Sequence, residues 1–558
     1  MKDNLNLRKK IIIHVHSILA LILLLHTIFY LVYWFSIGNL RRDVDLFIAD
    51  FSSLALPYTT IVILLTLGIG FWSLIRFVRM RLALRKEDWE PSIFNWIYAG
   101  VWIIFVALFY FSFILILREN PSQKGVLFQL VNLVRLGTDP VLFMIAAIWL
   151  RRTILSLRIR AMRAKNRWLW GIGIGFVLIL VVGLWLLPAL FPPTWAYQGD
   201  LPAKPALIAH RGASMLAPEN TIAAGELAAE YDAFGFESDV RISLDGVPFL
   251  MHDDTLQRTT NISEVYPERR DDDPSSFTME ELGALNAGLW FIQKDPFGTI
   301  DSGLISQTQL SINQGQKIPT LEQALALVEK EKMVILFDLR YPPQDHPYHD
   351  HYFDIVFDIC KESGLNGDVW FLVDRDNLDT VLNEAPQMTR VIGVSSTDLP
   401  VPGELIELKY EIVNIDTGII NGEIQAYRNE GLGVNIYTID QTWLFSQFWL
   451  SGVTSVTTNN IHTLSQLNEP IPNLPYSRFL LFWGLFGIIV AIWLASSQPK
   501  MKVNHPESVK TDQADLMDLA NHEETQKENP SDAGVSLEII SEVDDNNTFN
   551  VNQRYDKH

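Results

Sequence analysis

The sequence predicts an α/β fold: a (β/α)8 TIM barrel attached to an α-helical membrane bundle of six transmembrane helices. Three observations carry this expectation. Long apolar blocks fill the first 191 residues and recur once near residue 480. Between them, about 280 residues alternate short β-like runs with amphipathic stretches, close to the ~250 residues typical of such a barrel. Several of the runs end in histidine, arginine or carboxylates, where barrel enzymes carry their chemistry. A mean hydropathy of +0.14 with 48% hydrophobic residues fits a chain that is partly in lipid.

The apolar blocks are Ile11–Phe35, Leu54–Ile75, Trp96–Leu117, Val126–Leu150, Trp168–Phe191 and Phe479–Ser496. Each is near the ~20 residues that cross a ~30 Å hydrocarbon core. The first is too long for the apolar part of a signal peptide, and no small-residue cleavage site follows it. Basic residues gather at the N-terminus (Lys2, Arg8, Lys9, Lys10), in the second connection (Arg76 to Lys86) and in the fourth (Arg151 to Arg167). The positive-inside rule then makes both termini cytoplasmic and the catalytic segment extracytoplasmic, in a multi-pass protein of the cell membrane. Inside the fourth block, Arg135 and Asp139 stand four apart before Pro140, which reads best as a self-neutralised pair at a kink.

The organisation that follows is a membrane region over 1–191, a linker over 192–204, the barrel over 205–467, a sixth membrane helix over 479–496 and an acidic tail over 498–558. The tail is nearly free of aromatic residues and is expected to be disordered. It contributes to a net charge of −20, which argues against nucleic acid as a partner. Cys360 is the only cysteine, so the outer domain has no internal disulfide and is expected to be held by its own core.

Strands are expected at Ala206–Ala209, Gly235–Ile242, Met333–Leu339, Val369–Val373, Val391–Val394, Ile412–Ile415, Gly433–Thr438 and Gly452–Thr457. Helices are expected between them, for example at Thr221–Tyr231 and Thr320–Lys330. The long connection Ser263–Gln316 is a candidate lid over the barrel mouth.

His210 and Arg211 end the first run, Glu237 and Asp239 lie on the second, and His252 and Asp253 follow a short hairpin. Two histidines can exchange protons near neutral pH. Arg211 can grip phosphate oxygens through its fork of donors. Glu237 and Asp239, two apart on a strand, share one face and can converge on an ion. Hard oxygen ligands favour Mg²⁺ or Ca²⁺. Together these residues suit metal-assisted attack on a phosphate ester. His346, His349 and His351 cluster after the third run and read best as a solvated loop.

The ordered set of His210-Arg211-Gly212, Pro218-Glu219-Asn220-Thr221, Glu237-Ser238-Asp239 and His252-Asp253 resembles the glycerophosphodiester phosphodiesterase family, and the whole chain resembles its multi-pass members. About half the chain carries the likeness. The resemblance implies a metal-dependent phosphoric diester hydrolase that releases glycerol 3-phosphate and an alcohol from glycerophosphodiesters. Phospholipase-like cleavage of lysophospholipids or lipid-anchored head groups is the alternative. A transporter or sensor with a ligand-binding barrel is more distant, because the acids and histidines of a catalyst are present.

The resemblance further implies a third metal ligand at the end of the third strand. There the family's usual Glu-x-Lys is replaced by Asp338-Leu339-Arg340, which keeps the charge on a shorter arm and leaves Arg340 to pair with phosphate. It makes Glu219 a contributor at the metal or to holding the site together, makes Asn220 a supporting residue, and puts Asn435 and Tyr437 at the pocket wall. Thr457-Thr458-Asn459 stands where an aspartate is common, with no consequence evident from sequence.

Overall fold

The β-branched and aromatic runs of the outer segment form eight parallel strands. The computed structural model describes residues 2–36, 57–86, 120–163 and 167–496, with scattered positions between them. The strands are β1 (Ala206–His210), β2 (Gly235–Ile242), β3 (Val334–Leu339), β4 (Val369–Leu372), β5 (Thr389–Val394), β6 (Ile412–Asp416), β7 (Gly433–Tyr437) and β8 (Ser455–Thr458). Each pairs with the next, and β8 pairs back to β1, so the sheet closes. The expected runs match these strands to within a few residues. The largest slip is in the last, which starts at Ser455 because Gly452, at φ +78°, still belongs to the turn ending the preceding helix.

Register carries the site. His210 lies opposite Glu237 across β1 and β2, and Asp239 lies opposite Asp338 across β2 and β3. After β2 the chain folds back through a short antiparallel strand, Pro248–Leu250, which delivers His252 and Asp253 to the same end of the barrel. The helix Ile222–Glu230 starts where expected, with the Thr221 hydroxyl accepting from the Ala224 amide. Leu321–Glu331 opens on a reciprocal cap between Thr320 and Gln323.

The connection 263–316 is not a lid. It folds into short helices, Met279–Ala284, Leu289–Lys294 and Gln307–Gln314. Phe277, Leu282, Leu285 and Ala287 pack with Phe249, Met251, Leu256 and Ile318 into a separate small core. An apolar face of that size is buried against the hairpin instead of standing free over the mouth, and none of its residues lines the cavity at the carboxyl ends of the strands.

The membrane part contains α1 (Lys2–Ser36), α2 (Tyr58–Lys86), α3 (Gln123–Arg163) and α4 (Arg167–Leu190), with α5 (Tyr476–Ala495) after the barrel. Among the described residues these five helices are long and apolar enough to cross a membrane. The expected block Trp96–Leu117 falls mostly outside the described residues, and the tail 498–558 lies wholly outside them. Arg135 donates to Asp139 at 3.0 Å and to the Phe191 carbonyl at 2.7 Å, so the pair also satisfies a carbonyl at the end of α4.

At 41 residues, α3 is about 60 Å long, roughly twice the hydrocarbon thickness. Its first turns dock on the loop after β6. Gly125 makes this approach possible: a Cβ there would lie 2.0 Å from the Thr417 carbonyl oxygen and 2.5 Å from that of Ile419. Gln129 donates to Asn421 at 2.7 Å, and Thr417 donates to the Ser122 carbonyl at 3.3 Å. Tyr33, Trp34, Ile63, Val126 and Leu130 belong to the same apolar core as the barrel strands. The barrel is therefore not held by its own core alone, contrary to expectation. The long apolar helices supply part of its packing.

Candidate active site

The carboxyl ends of the strands enclose a cavity of about 530 Å³. His210, Arg211, Glu237, Asp239, His252, Asp338 and Arg340 line one side, and Leu372, Val373, Ile392 and Tyr437 are among the residues on the rest of its wall.

Arg211 and Asn220 both adopt left-handed backbone, each at φ 55°, which residues with a Cβ rarely take without support. The support is mutual, because the Asn220 amide donates to the Arg211 carbonyl at 3.0 Å. Gly212 at φ 83° allows the turn to touch the helix behind it, where a Cβ would sit 2.6 Å from Ala224. In this way the two conspicuous sequence groups, 210–212 and 218–221, form one clamp.

Glu237, Asp239 and Asp338 offer carboxylate oxygens all within 4.8 Å of one another. Burial and the neighbouring Asp239 raise Glu237 well above the usual carboxylate range, although Arg211 opposes them. Burial likewise raises Asp338 despite the adjacent Arg340. The all-oxygen donor set suits a hard divalent cation. Arg340 bridges Asp239 at 3.1 Å and Asp338 at 2.7 Å, and Arg211 reaches Asp239 at 3.2 Å.

The histidines stand in different surroundings. His210 Nδ1 meets the Asn459 side-chain oxygen at 2.7 Å, and its Nε2 lies 3.7 Å from Glu237. Burial, then the charge of Arg211, lowers its pKa. His252 Nδ1 donates to the Asp253 carboxylate at 2.8 Å. Burial alone would raise Asp253, but the bonds from His252 and Arg258 outweigh it and hold Asp253 well below the usual range.

Glu219 and Asn220 are hydrogen-bonded to residues of the site. Glu219 accepts from Arg211 at 2.8 Å and from Arg258 at 2.7 Å. Asn220 donates to Asp239 at 2.9 Å and accepts from Ser238 at 2.7 Å. Neither Glu219 nor Asn220 is in the acidic triad. Tyr437 lines the cavity as expected. Asn435 does not: it is fully buried beneath the floor, donating to Asn414 at 2.7 Å and Thr457 at 2.9 Å, and it is these two partners that reach the cavity. His346 and His349 bond to the carbonyls of Ser275 and Pro342, and none of the three loop histidines joins the acidic cluster.

Sequence reasoning missed Arg258 and Asp440. Arg258 grips both Glu219 and Asp253 and lies 5.6 Å from the ring centre of Trp290, so the 263–316 insertion braces the site from behind. A loop arginine five residues after Asp253 carries no spacing signal.

A closed parallel barrel with acids, histidines and arginines gathered at its carboxyl end is the frame of a barrel enzyme. Residues 210–463 match the model of the glycerophosphoryl diester phosphodiesterase family. The chain is 37% identical over 303 residues to the mouse glycerophosphoinositol inositolphosphodiesterase GDPD2, covering 54% of each protein. It is 34% identical over 384 residues to the Macaca fascicularis glycerophosphodiester phosphodiesterase domain-containing protein 4, covering 66% of this chain and 60% of that one. The likeness to that family lies in the barrel, over residues 210–463. The chain spans little more than half the length of these curated relatives. Among solved structures, it is similar to an Oleispira antarctica phosphodiesterase in complex with sn-glycerol-3-phosphate, at 24% identity and a TM-score of 0.39, over 47% of this chain and 95% of that one.

Proposed function

We propose that this chain is a membrane-anchored, divalent-cation-dependent phosphodiesterase that hydrolyses glycerophosphodiesters to glycerol 3-phosphate and an alcohol. The observation that carries the reading is the meeting, in one cavity, of the Glu237, Asp239 and Asp338 oxygens with His210, His252, Arg211 and Arg340.

Glu237, Asp239 and Asp338 would hold the cation. Mg²⁺ or Ca²⁺ bound there supplies charge neutralisation for the phosphodiester anion. Arg211 and Arg340 orient the phosphate oxygens through paired donors. His210, lowered by burial and facing an uncharged amide, is the neutral imidazole that takes the proton of the attacking hydroxyl. His252, backed by the anionic Asp253, is suited to carry a proton and deliver it to the departing alcohol. Glu219 and Asn220 keep Arg211 and Asp239 in place, and Tyr437 borders the space for the alcohol.

The test uses the full chain in detergent or nanodiscs with glycerophosphodiesters and added Mg²⁺ or Ca²⁺. Turnover is expected, and it is expected to stop with chelator and to fall at least a hundredfold in His210→Ala and in His252→Ala. Turnover that survives both substitutions together overturns the proposal.

A further inference from the structure

Behind His210 lies a pair of side chains outside the cavity lining, of which the proposed chemistry invokes only the uncharged amide that His210 faces. Asn459 follows directly after β8, and Asp440 lies three residues beyond β7. Asp440 is buried. Its carboxylate accepts from the Asn459 amide nitrogens twice, from the backbone at 2.8 Å and from Nδ2 at 2.9 Å, and it also accepts from the Thr458 hydroxyl at 3.3 Å. On its other side the Asn459 Oδ1 accepts from the Ser214 hydroxyl at 2.8 Å and meets His210 Nδ1 at 2.7 Å.

An asparagine amide usually has two orientations that differ only by exchange of oxygen and nitrogen. Here one is excluded. Flipping Asn459 would bring its oxygen against the Asp440 carboxylate at the 2.9 Å separation now spanned by a hydrogen bond, two acceptors with no proton between them. Asp440 therefore decides which end of the amide His210 sees. That end is an oxygen, which only accepts, so the proton of a neutral His210 must reside on Nδ1.

We propose that Asp440 and Asn459 are positioning residues that hold His210 as its Nδ1–H tautomer, leaving the Nε2 lone pair turned to the cavity beside Glu237. The inference rests on the phosphodiesterase reading above and deepens it: His210 can accept a proton only from the cavity side, so the pair determines which atom does the work. In the other tautomer Nε2 would carry the proton and the ring could not accept one from the cavity. His252 needs no such device, since either oxygen of Asp253 accepts from its Nδ1 and a carboxylate has no wrong way round.

The test is a donor and acceptor exchange in the full chain, with steady-state kinetics on a glycerophosphodiester. Asn459→Leu removes the acceptor and is expected to lower kcat about a hundredfold while KM stays within about threefold. Asp440→Asn frees the amide to flip, and Asn459→Asp sets two carboxylates against each other; each is expected to lower kcat at least tenfold. The double variant Asp440→Asn with Asn459→Asp restores one donor facing one carboxylate and again offers His210 an acceptor. It is expected to recover activity to within tenfold of the parent. Unchanged kcat in Asn459→Leu, a loss carried by KM, or a folded double variant no better than the single ones overturns the inference. If Asn459→Leu does not fold, the double variant is compared with Asn459→Asp, and recovery or its absence decides between the two outcomes. A parent chain that shows no turnover, or turnover indifferent to His210→Ala, sinks the phosphodiesterase reading instead.

Discussion

Glu219 concentrates the electrostatics of the site in one side chain. Burial alone would raise its pKa, but the hydrogen bonds from Arg258 and the charges of Arg211 and Arg258 outweigh burial and bring it to about 2. A carboxyl lowered on folding stabilises the native state fully above its ordinary pKa and loses that contribution as pH falls through the folded value. The window here runs from about 4.5 down to about 2, and the contribution is roughly 3 kcal/mol. Thermal unfolding of the full chain followed by tryptophan fluorescence should therefore show a melting temperature that falls through this window. In Glu219→Gln it should be lower at neutral pH and flatter in acid. Equal acid sensitivity in the two proteins would remove Glu219 from this role. Sequence pointed to the residue but left open whether it touched a metal or supported the site. In the fold it is paired with two arginines, and Arg258 could not be anticipated because its contacts depend on how a loop folds back.

At the scale of elements, the strands were legible because each is a short β-branched or aromatic run ended by a turn residue. The triad was legible because a strand's alternation puts Glu237 and Asp239 on one face. What escaped was governed by partners distant in the chain. Asn435 looked like a wall residue from its place near a strand end, yet the fold seals it under the floor with Asn414 and Thr457. The 263–316 connection looked like a lid because length and polarity were visible while its apolar residues' partners were not.

The docking of α3 was equally hidden, and it makes a specific prediction. Gly125→Ala should cost about 1–3 kcal/mol, since a methyl group cannot fit against the Thr417 and Ile419 carbonyls, and should lower kcat/KM severalfold by displacing the loop after β6. Gly137→Ala, in the same helix but with open space around the added methyl, serves as the control and should be neutral. Equal effects of the two substitutions on melting temperature and activity would refute the docking argument.

For the whole molecule, the alternation of basic and non-basic connections leads us to propose that the barrel is extracytoplasmic and both termini cytoplasmic. A reporter that is active only outside the cytoplasm, inserted after Tyr197, should be active, and the same reporter at residue 500 should be silent. The opposite pattern inverts the topology. The five described apolar helices fit membrane residence, whichever side the barrel faces.

The long α3 also bears on how the protein is made. Gln123 to Arg163 leaves the ribosome about 250 residues before Thr417, so a helix that packs on one side of the barrel exists well before the strands it supports. A barrel closing for the first time would meet a surface already fixed in the bilayer, with Val126 and Leu130 in place for the barrel core to pack on and Gly125 admitting the loop after β6. Membrane insertion would then come before barrel completion, and a chain whose early helices failed to insert would reach its catalytic half with nothing to close against.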